Sequence, residues 1–134
     1  MSAHLAALSC REIDHLPFGY IALDTAGKIR KYNRYEAALA DVDQDWVLGK
    51  NFFSEVAPCT QVREFEGRFR DFADGSIEAS SLAFDFVFRF RRGHQNVQIG
   101  FLRADGNDEI IVTVRRLAPP PSARPSAAPR PAVF

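Results

Sequence analysis

Apolar positions along the chain switch between periods of two and of three to four, and each switch marks a new element. From Phe18 to Asn33 the stretch "FGYIALDTAGKIRKYN" alternates apolar with small or polar residues, breaks at "DTAG" and resumes at Ile29. Such alternation is that of a strand, and Asp24, Thr25 and Gly27 are turn formers, so the pattern predicts two strands joined by a tight turn. "NRYEAAL", from Asn33 to Leu39, is rich in helix formers. Asn33 is placed as its N-cap, with Glu36 three residues on to complete a capping box. "DQDWVLGKNFFSEVA" predicts further short helical turns punctuated by Gly49, and Pro58 limits any helix that arrives from before it. In "TQVREFEGRFRDFADGS", Val62, Phe65, Phe69 and Phe72 recur at spacings of three and four, which predicts a helix with one apolar stripe packed on a sheet. Period two returns in "LAFDFVFRFRR", where Phe84, Phe86, Phe88 and Phe90 share one strand face and Asp85, Val87, Arg89 and Arg91 the other. "QNVQIGFLRA" and "EIIVTVRRL" predict two more strands, with "ADGNDE" as the turn between them. Two strands, several short helices, one longer helix and three strands make an α+β fold: an antiparallel sheet of about five strands with helices gathered on one face.

Composition narrows the class of partner. The 134 residues, 46% of them hydrophobic, suffice for one domain with a core of its own. The abrupt shift to "APPPSARPSAAPRPAVF" ends that domain at Leu117, because dense proline leaves few backbone donors and predicts a solvated, extended or disordered tail over 118–134. Residues 1–15 form a short N-terminal segment before the domain of 16–117. Seventeen basic and seventeen acidic side chains cancel, with no long run of either sign, so no electrostatic footprint for nucleic acid or an anionic membrane is present. With no secretory signal and no apolar run long enough to span a bilayer, the expectation is a cytoplasmic protein, a monomer or weak dimer.

Candidate chemistry is sparse. Cys10 and Cys59 make no metal-type spacing with each other or with His4, His15 and His94, and the acids between Asp41 and Asp45 lack the loop spacing and glycine of a cation site, so no metal is assigned. Cys59, in "EVAPCT", stands between aromatic-rich stretches. A lone cysteine in such surroundings is often a small buried hydrophobe, whereas a nucleophilic one needs a base. The histidines fall in the ends or a turn of this layout, away from Cys59, so no enzyme is expected.

"LPFGYIALDTAGKIRKYN", an acidic residue, and then "VLGKNFF" are similar to the opening strands and first helices of PAS domains. "YN", Glu36, "GKNFF" and "VAPCT" at these separations resemble more narrowly the photoactive yellow protein family, small blue-light receptors whose cysteine carries a thioester-linked p-coumaroyl chromophore. The resemblance runs from Leu16 to Leu117. It implies that Cys59 is the attachment point, that Tyr32 hydrogen-bonds the chromophore phenolate, and that Glu36 shares it as a protonated acid. It further implies signalling by trans–cis isomerisation with proton transfer from Glu36. Each residue suits its role: a thiolate is nucleophilic enough to form a thioester, a buried phenolate needs donors, and burial raises a carboxyl pKa. The glutamate left behind would be a buried, poorly compensated charge, and partial unfolding is the expected signal.

Phe52, Val56, Pro58, Phe88 and Phe90 are the expected pocket walls. Some neighbours depart from the family pattern: Ala40 and Val42 replace a threonine and an arginine, Arg92 of "RRG" replaces a methionine, and Tyr35 stands where a small residue is usual. Arg92 is accordingly a candidate to supply the missing arginine's charge. These departures leave a second reading, a pigment-free PAS module that binds a small ligand or a partner protein in the same cavity. In either reading the signal passes to a separate signalling protein, with the proline-rich tail as one candidate contact.

Overall fold

Period-two segments at both ends of the chain become β1 (Gly19–Leu23), β2 (Ile29–Tyr32), β3 (Ser81–Phe90), β4 (Gly93–Arg103) and β5 (Ile110–Arg116). They form one antiparallel sheet in the order β2-β1-β5-β4-β3. Short helices fill the middle of the chain, α2 (Arg34–Ala40), α3 (Gln44–Val47) and α4 (Arg68–Ala73), with α1 (Cys10–Ile13) ahead of the sheet. The computed structural model describes residues 9–90, 93–103 and 109–117, without the Cys10 and Phe90 side chains. Arg92, His4, residues 104–108 of the expected turn 104–109 and the tail lie outside the described residues.

Local chemistry explains the hairpin. The Asp24 carboxylate accepts the Ala26 and Lys28 N–H groups, and Gly27 turns the chain with φ 92°. A Cβ on Gly27 would stand 2.9 Å from the Phe53 ring, so both backbone and packing require glycine there. "GKNFF" closes the outer edge of β2: the Ile29 N–H donates to Lys50 O, the Gly49 N–H donates to Ile29 O, and Asn51 Oδ1 caps the π-helical turn Phe52–Val56 through the Phe53 and Ser54 N–H groups. The segment is thus an edge cover as much as a helix start.

Asn33, fully buried, joins three elements. Its Oδ1 accepts the Tyr20 and Glu36 N–H groups, and its Nδ2 donates to Ile13 O and Phe18 O. The expected N-cap is therefore present, but the reciprocal half of the capping box is not. The Asn33 N–H donates to Tyr20 O, and the Glu36 side chain turns away to Arg116.

Phe65, Phe69 and Phe72 form the expected apolar stripe, all buried, whereas Val62 is 41% exposed. Val62 is extended (φ −138°, ψ 162°) ahead of a π-helical turn, Arg63–Gly67, that runs into α4, so its spacing to Phe65 is not a helical one. Phe65 lies at the centre of a ring cluster with Phe52, Phe53, Phe84, Phe86, Phe88 and Phe101, centroids 5.1–6.3 Å away. This core fills the space between the sheet and the helices that follow β2.

β1 is buried on both faces. Ile21 and Leu23 belong to the main core, while Tyr20 and Ala22 join Ile111 and Ile13 in a smaller cluster flanked by Leu16 and Leu102. The main helices share one face as expected, and α1 with the residues after it shields the other, a role that no hydrophobic period announces.

Candidate functional site

At one end of the sheet, β2 stops at Tyr32, β5 at Arg116 and β3 beside Phe88, and Glu36 in the first turn of α2 lies among them. Tyr32 is 3% and Glu36 1% exposed. Glu36 fits against β1 because Gly19 has no side chain: a Cβ there would collide with the Glu36 carboxylate and crowd Val114 at 3.1 Å.

The Glu36 carboxylate meets Arg116, Nη1 donating to Oε1 at 2.5 Å and Nη2 lying 3.4 Å from Oε2. Gln95 Oε1 accepts from Arg116 Nε at 2.9 Å and Nη2 at 2.6 Å, and Gln95 Nε2 donates to Leu39 O near the end of α2. The guanidinium also lies 5.9 Å from the Phe88 ring. Burial pushes the Glu36 carboxyl pKa above its ordinary value of 4.5, and the hydrogen bond and charge of Arg116 pull it part of the way back. Burial, reinforced by the charge of Glu36 and opposed by Arg116, raises Tyr32 well above 10.0. Among the described residues the Tyr32 hydroxyl has no hydrogen-bond partner, an uncommon condition for a polar group this deeply buried.

Cys59 stands in a single 3₁₀ turn, Pro58–Thr60, held by buried Thr60, whose hydroxyl donates to Ala57 O at 2.6 Å. Its free thiol is half-buried on the main core, and the Arg89 N–H points at Sγ, 3.5 Å away, from the sheet's edge strand β3. Arg89 follows Phe88, so Cys59 is linked through β3 and the Phe88 ring to Arg116 and Glu36.

Of the expected walls, Phe52 and Phe88 are buried and Val56 packs half-buried on the core, but Pro58 is exposed and serves instead to open the turn that carries Cys59. The Phe90 side chain and Arg92 are outside the described residues. Among the described residues it is Arg116 that meets Glu36, and it was missed in the sequence together with Gln95 and Gly19. A signal was available: Ile110, Val112 and Val114 face the core, and Arg116 continues their alternation inward. His94 is a strand residue of β4 rather than a turn residue. It pairs with Arg89 but is exposed with Asn96 and Gln98 on the outward face, away from the core on which Cys59 packs. A cavity of about 290 Å³ next to Tyr32 is lined by Asp14, Arg30, Gln44 and Leu48 and includes neither Glu36 nor Cys59. Among the described residues no helix is long and apolar enough to cross a membrane.

This sheet order, with short helices crossing one face, is that of a PAS fold. The PAS domain of an HTR-like protein from Haloarcula marismortui superposes with a TM-score of 0.62 at 21% identity, over 87% of this chain and 96% of that one, a likeness of fold alone. The photoactive yellow protein domain from the sensor histidine kinase Ppr of Rhodospirillum centenum superposes with a TM-score of 0.79 at 37% identity, over 86% of this chain and 99% of that domain. No protein-family model matches the sequence. Curated relatives do: the photoactive yellow protein of Halochromatium salexigens is 37% identical over 114 residues (84% of this chain, 89% of the relative), and that of Cereibacter sphaeroides 38% identical over 120 residues (87% and 94%). The chain belongs to the photoactive yellow protein family and is a photoreceptor of that type.

Proposed function

We propose that the chain is a blue-light receptor in which Cys59 carries a p-coumaroyl group as a thioester, with Tyr32 and Glu36 holding its phenolate end. The observation that carries this reading is the Tyr32 hydroxyl, a buried donor with no partner among the described residues, beside a buried carboxyl of raised pKa. A phenolate oxygen would satisfy both, since each can donate a short charge-assisted hydrogen bond to it. Attachment needs an activated acyl donor: the Cys59 thiolate attacks the acyl carbon, the Sγ–C bond forms, the activating group leaves with its electron pair, and the thiol proton goes to solvent. When bound, the group supplies a light-driven trans–cis isomerisation.

In this reading the chain's own residues set the consequence. Tyr32 orients and donates, Phe52 and Phe88 exclude water, and a Glu36 oxygen holds a proton that it surrenders after illumination. The expectation of a poorly compensated charge changes at this point, because a Glu36 carboxylate has the Arg116 guanidinium within 2.5 Å. Neutralisation of that carboxylate by Arg116 makes regrouping of β5 and α2, rather than partial unfolding, the proposed response. The Ppr domain belongs to a sensor histidine kinase, which supports a signalling protein as the downstream partner here.

One observation favours the second reading, a pigment-free PAS module: Arg116 already occupies the Glu36 carboxylate in this structure. Absorption spectra of the purified chain before and after mixing with activated p-coumaric acid, with Cys59→Ala as control, separate the two. A visible band that requires Cys59 and bleaches in blue light is the expected result. Absence of a band in correctly folded protein would transfer the assignment to the pigment-free module.

A further inference from the structure

Arg116 is on the inward-facing side of β5, following Ile110, Val112 and Val114, so its guanidinium enters the core end while Arg115, on the opposite face, stacks on the Phe18 ring at 4.6 Å. Its side chain is 17% exposed. Gln95 takes the Nε edge of the fork, and by donating to Leu39 O it ties that fork to α2, the helix that carries Glu36. Nη1 is thereby aimed at Glu36 Oε1. From β1, Gly19 approaches the carboxylate, and Tyr32 on β2 and Arg116 on β5 are the titratable groups facing it among the described residues. Gln95 on β4 is neutral.

We infer that Arg116, aimed by Gln95, is the positioning residue that sets the protonation state of Glu36: docked, it holds the carboxylate ionised, and only its withdrawal leaves Glu36 the neutral acid that a proton donor must be. The physical ground is a competition of two strong effects at one carboxyl group. Isolation from water at 1% exposure favours the neutral form, and a charge-assisted guanidinium contact favours the anion, so moving a single side chain exchanges one for the other. A second anion brought beside Glu36 would compete for the same guanidinium and release the carboxyl to take up a proton. The inference deepens the proposed proton-donor role of Glu36 and rests on that reading for its significance, though not for its test.

The test uses the pigment-free full chain at neutral pH and infrared spectroscopy of the carboxylic-acid carbonyl stretch, which only a protonated carboxyl shows. Expected are no such band in the wild type or in Arg116→Lys, a band in Arg116→Gln that vanishes in the Arg116→Gln, Glu36→Gln double variant, and a weaker band in Gln95→Ala. A Glu36 acid band in the wild type, or none in folded Arg116→Gln, overturns the inference. Should Arg116→Gln not fold, Gln95→Ala, which retains both charges, decides: a band above wild type supports the positioning role, and a spectrum identical to wild type overturns it. Because no pigment is present, failure of Cys59 to take p-coumarate would sink the proposed function without touching this result, and the converse holds.

Discussion

The two ends of the core are held together by opposite means. Around Phe65, many ring contacts share the load, none of them strongly directional. Around Glu36 a few directional contacts, from Asn33, Arg116 and Gln95, hold polar groups whose unpaired state would be costly. The ring cluster is thus held by many weak contacts, and the polar end by a few directional ones. The proposed proton-donor role of Glu36 would need both, because a group that changes its protonation needs more than one way of being satisfied.

Truncation in the ring cluster is expected to have the largest effect. Phe65→Ala should lower the unfolding free energy by about 3–5 kcal/mol in urea titration, the usual cost of deleting a fully buried ring. A loss below about 1 kcal/mol would mean the cluster repacks freely and the contrast with the polar end is false. Asn33→Ala comes next at about 3 kcal/mol, since it removes an N-cap and leaves buried backbone groups of Tyr20 and Ile13, and the part-buried Phe18 carbonyl, without their partner.

Arg116→Gln should cost roughly 1–3 kcal/mol at neutral pH in the pigment-free chain. Its pH dependence sharpens the comparison. The folded-state pKa of Glu36 is raised, so its linked stabilisation is present below the ordinary value of 4.5 and is lost as pH rises through the folded value. Removing Arg116 raises that folded value further, so the gap between variant and wild type should widen with rising pH and close in acid. A gap independent of pH would break the link between Arg116 and the Glu36 proton.

Tyr32→Phe deletes a hydroxyl that has no partner among the described residues and should change stability by about 1 kcal/mol or less at neutral pH. Wild-type stability should fall as pH rises above 10.0, because the unfolded chain releases the Tyr32 proton before the folded one does, and Tyr32→Phe should flatten that slope. Cys59→Ala, at a half-buried position on a short turn, should cost less than about 1 kcal/mol while abolishing covalent pigment uptake, read by mass and absorbance.

Much of the local structure around the candidate site was legible because its signals are local. Asn33 before a helix, Gly27 after Asp24 and Pro58 before Cys59 act through hydrogen bonds or dihedrals within a few residues. The family resemblance then drew attention to Tyr32 and Glu36. Readings failed where an isolated rule met tertiary competition: Glu36 left its capping-box role for Arg116, Val62 fell before a π-helical turn, and Pro58 faced solvent.

By itself the sequence determined the strands, the hairpin, the cap of α2 and the stop to helix at Pro58, since periodicity, turn residues and caps operate over one or two turns of chain. Only the tertiary structure decided that β5 lies between β1 and β4, and with it that Arg116 reaches a glutamate 80 residues earlier. It likewise decided that Gly19 must leave room for that glutamate and that Gln95 aims the arginine. Charge pairing of this kind has no period along the chain; it follows from strand order and from the steep energetic cost of leaving a buried carboxylate without a partner.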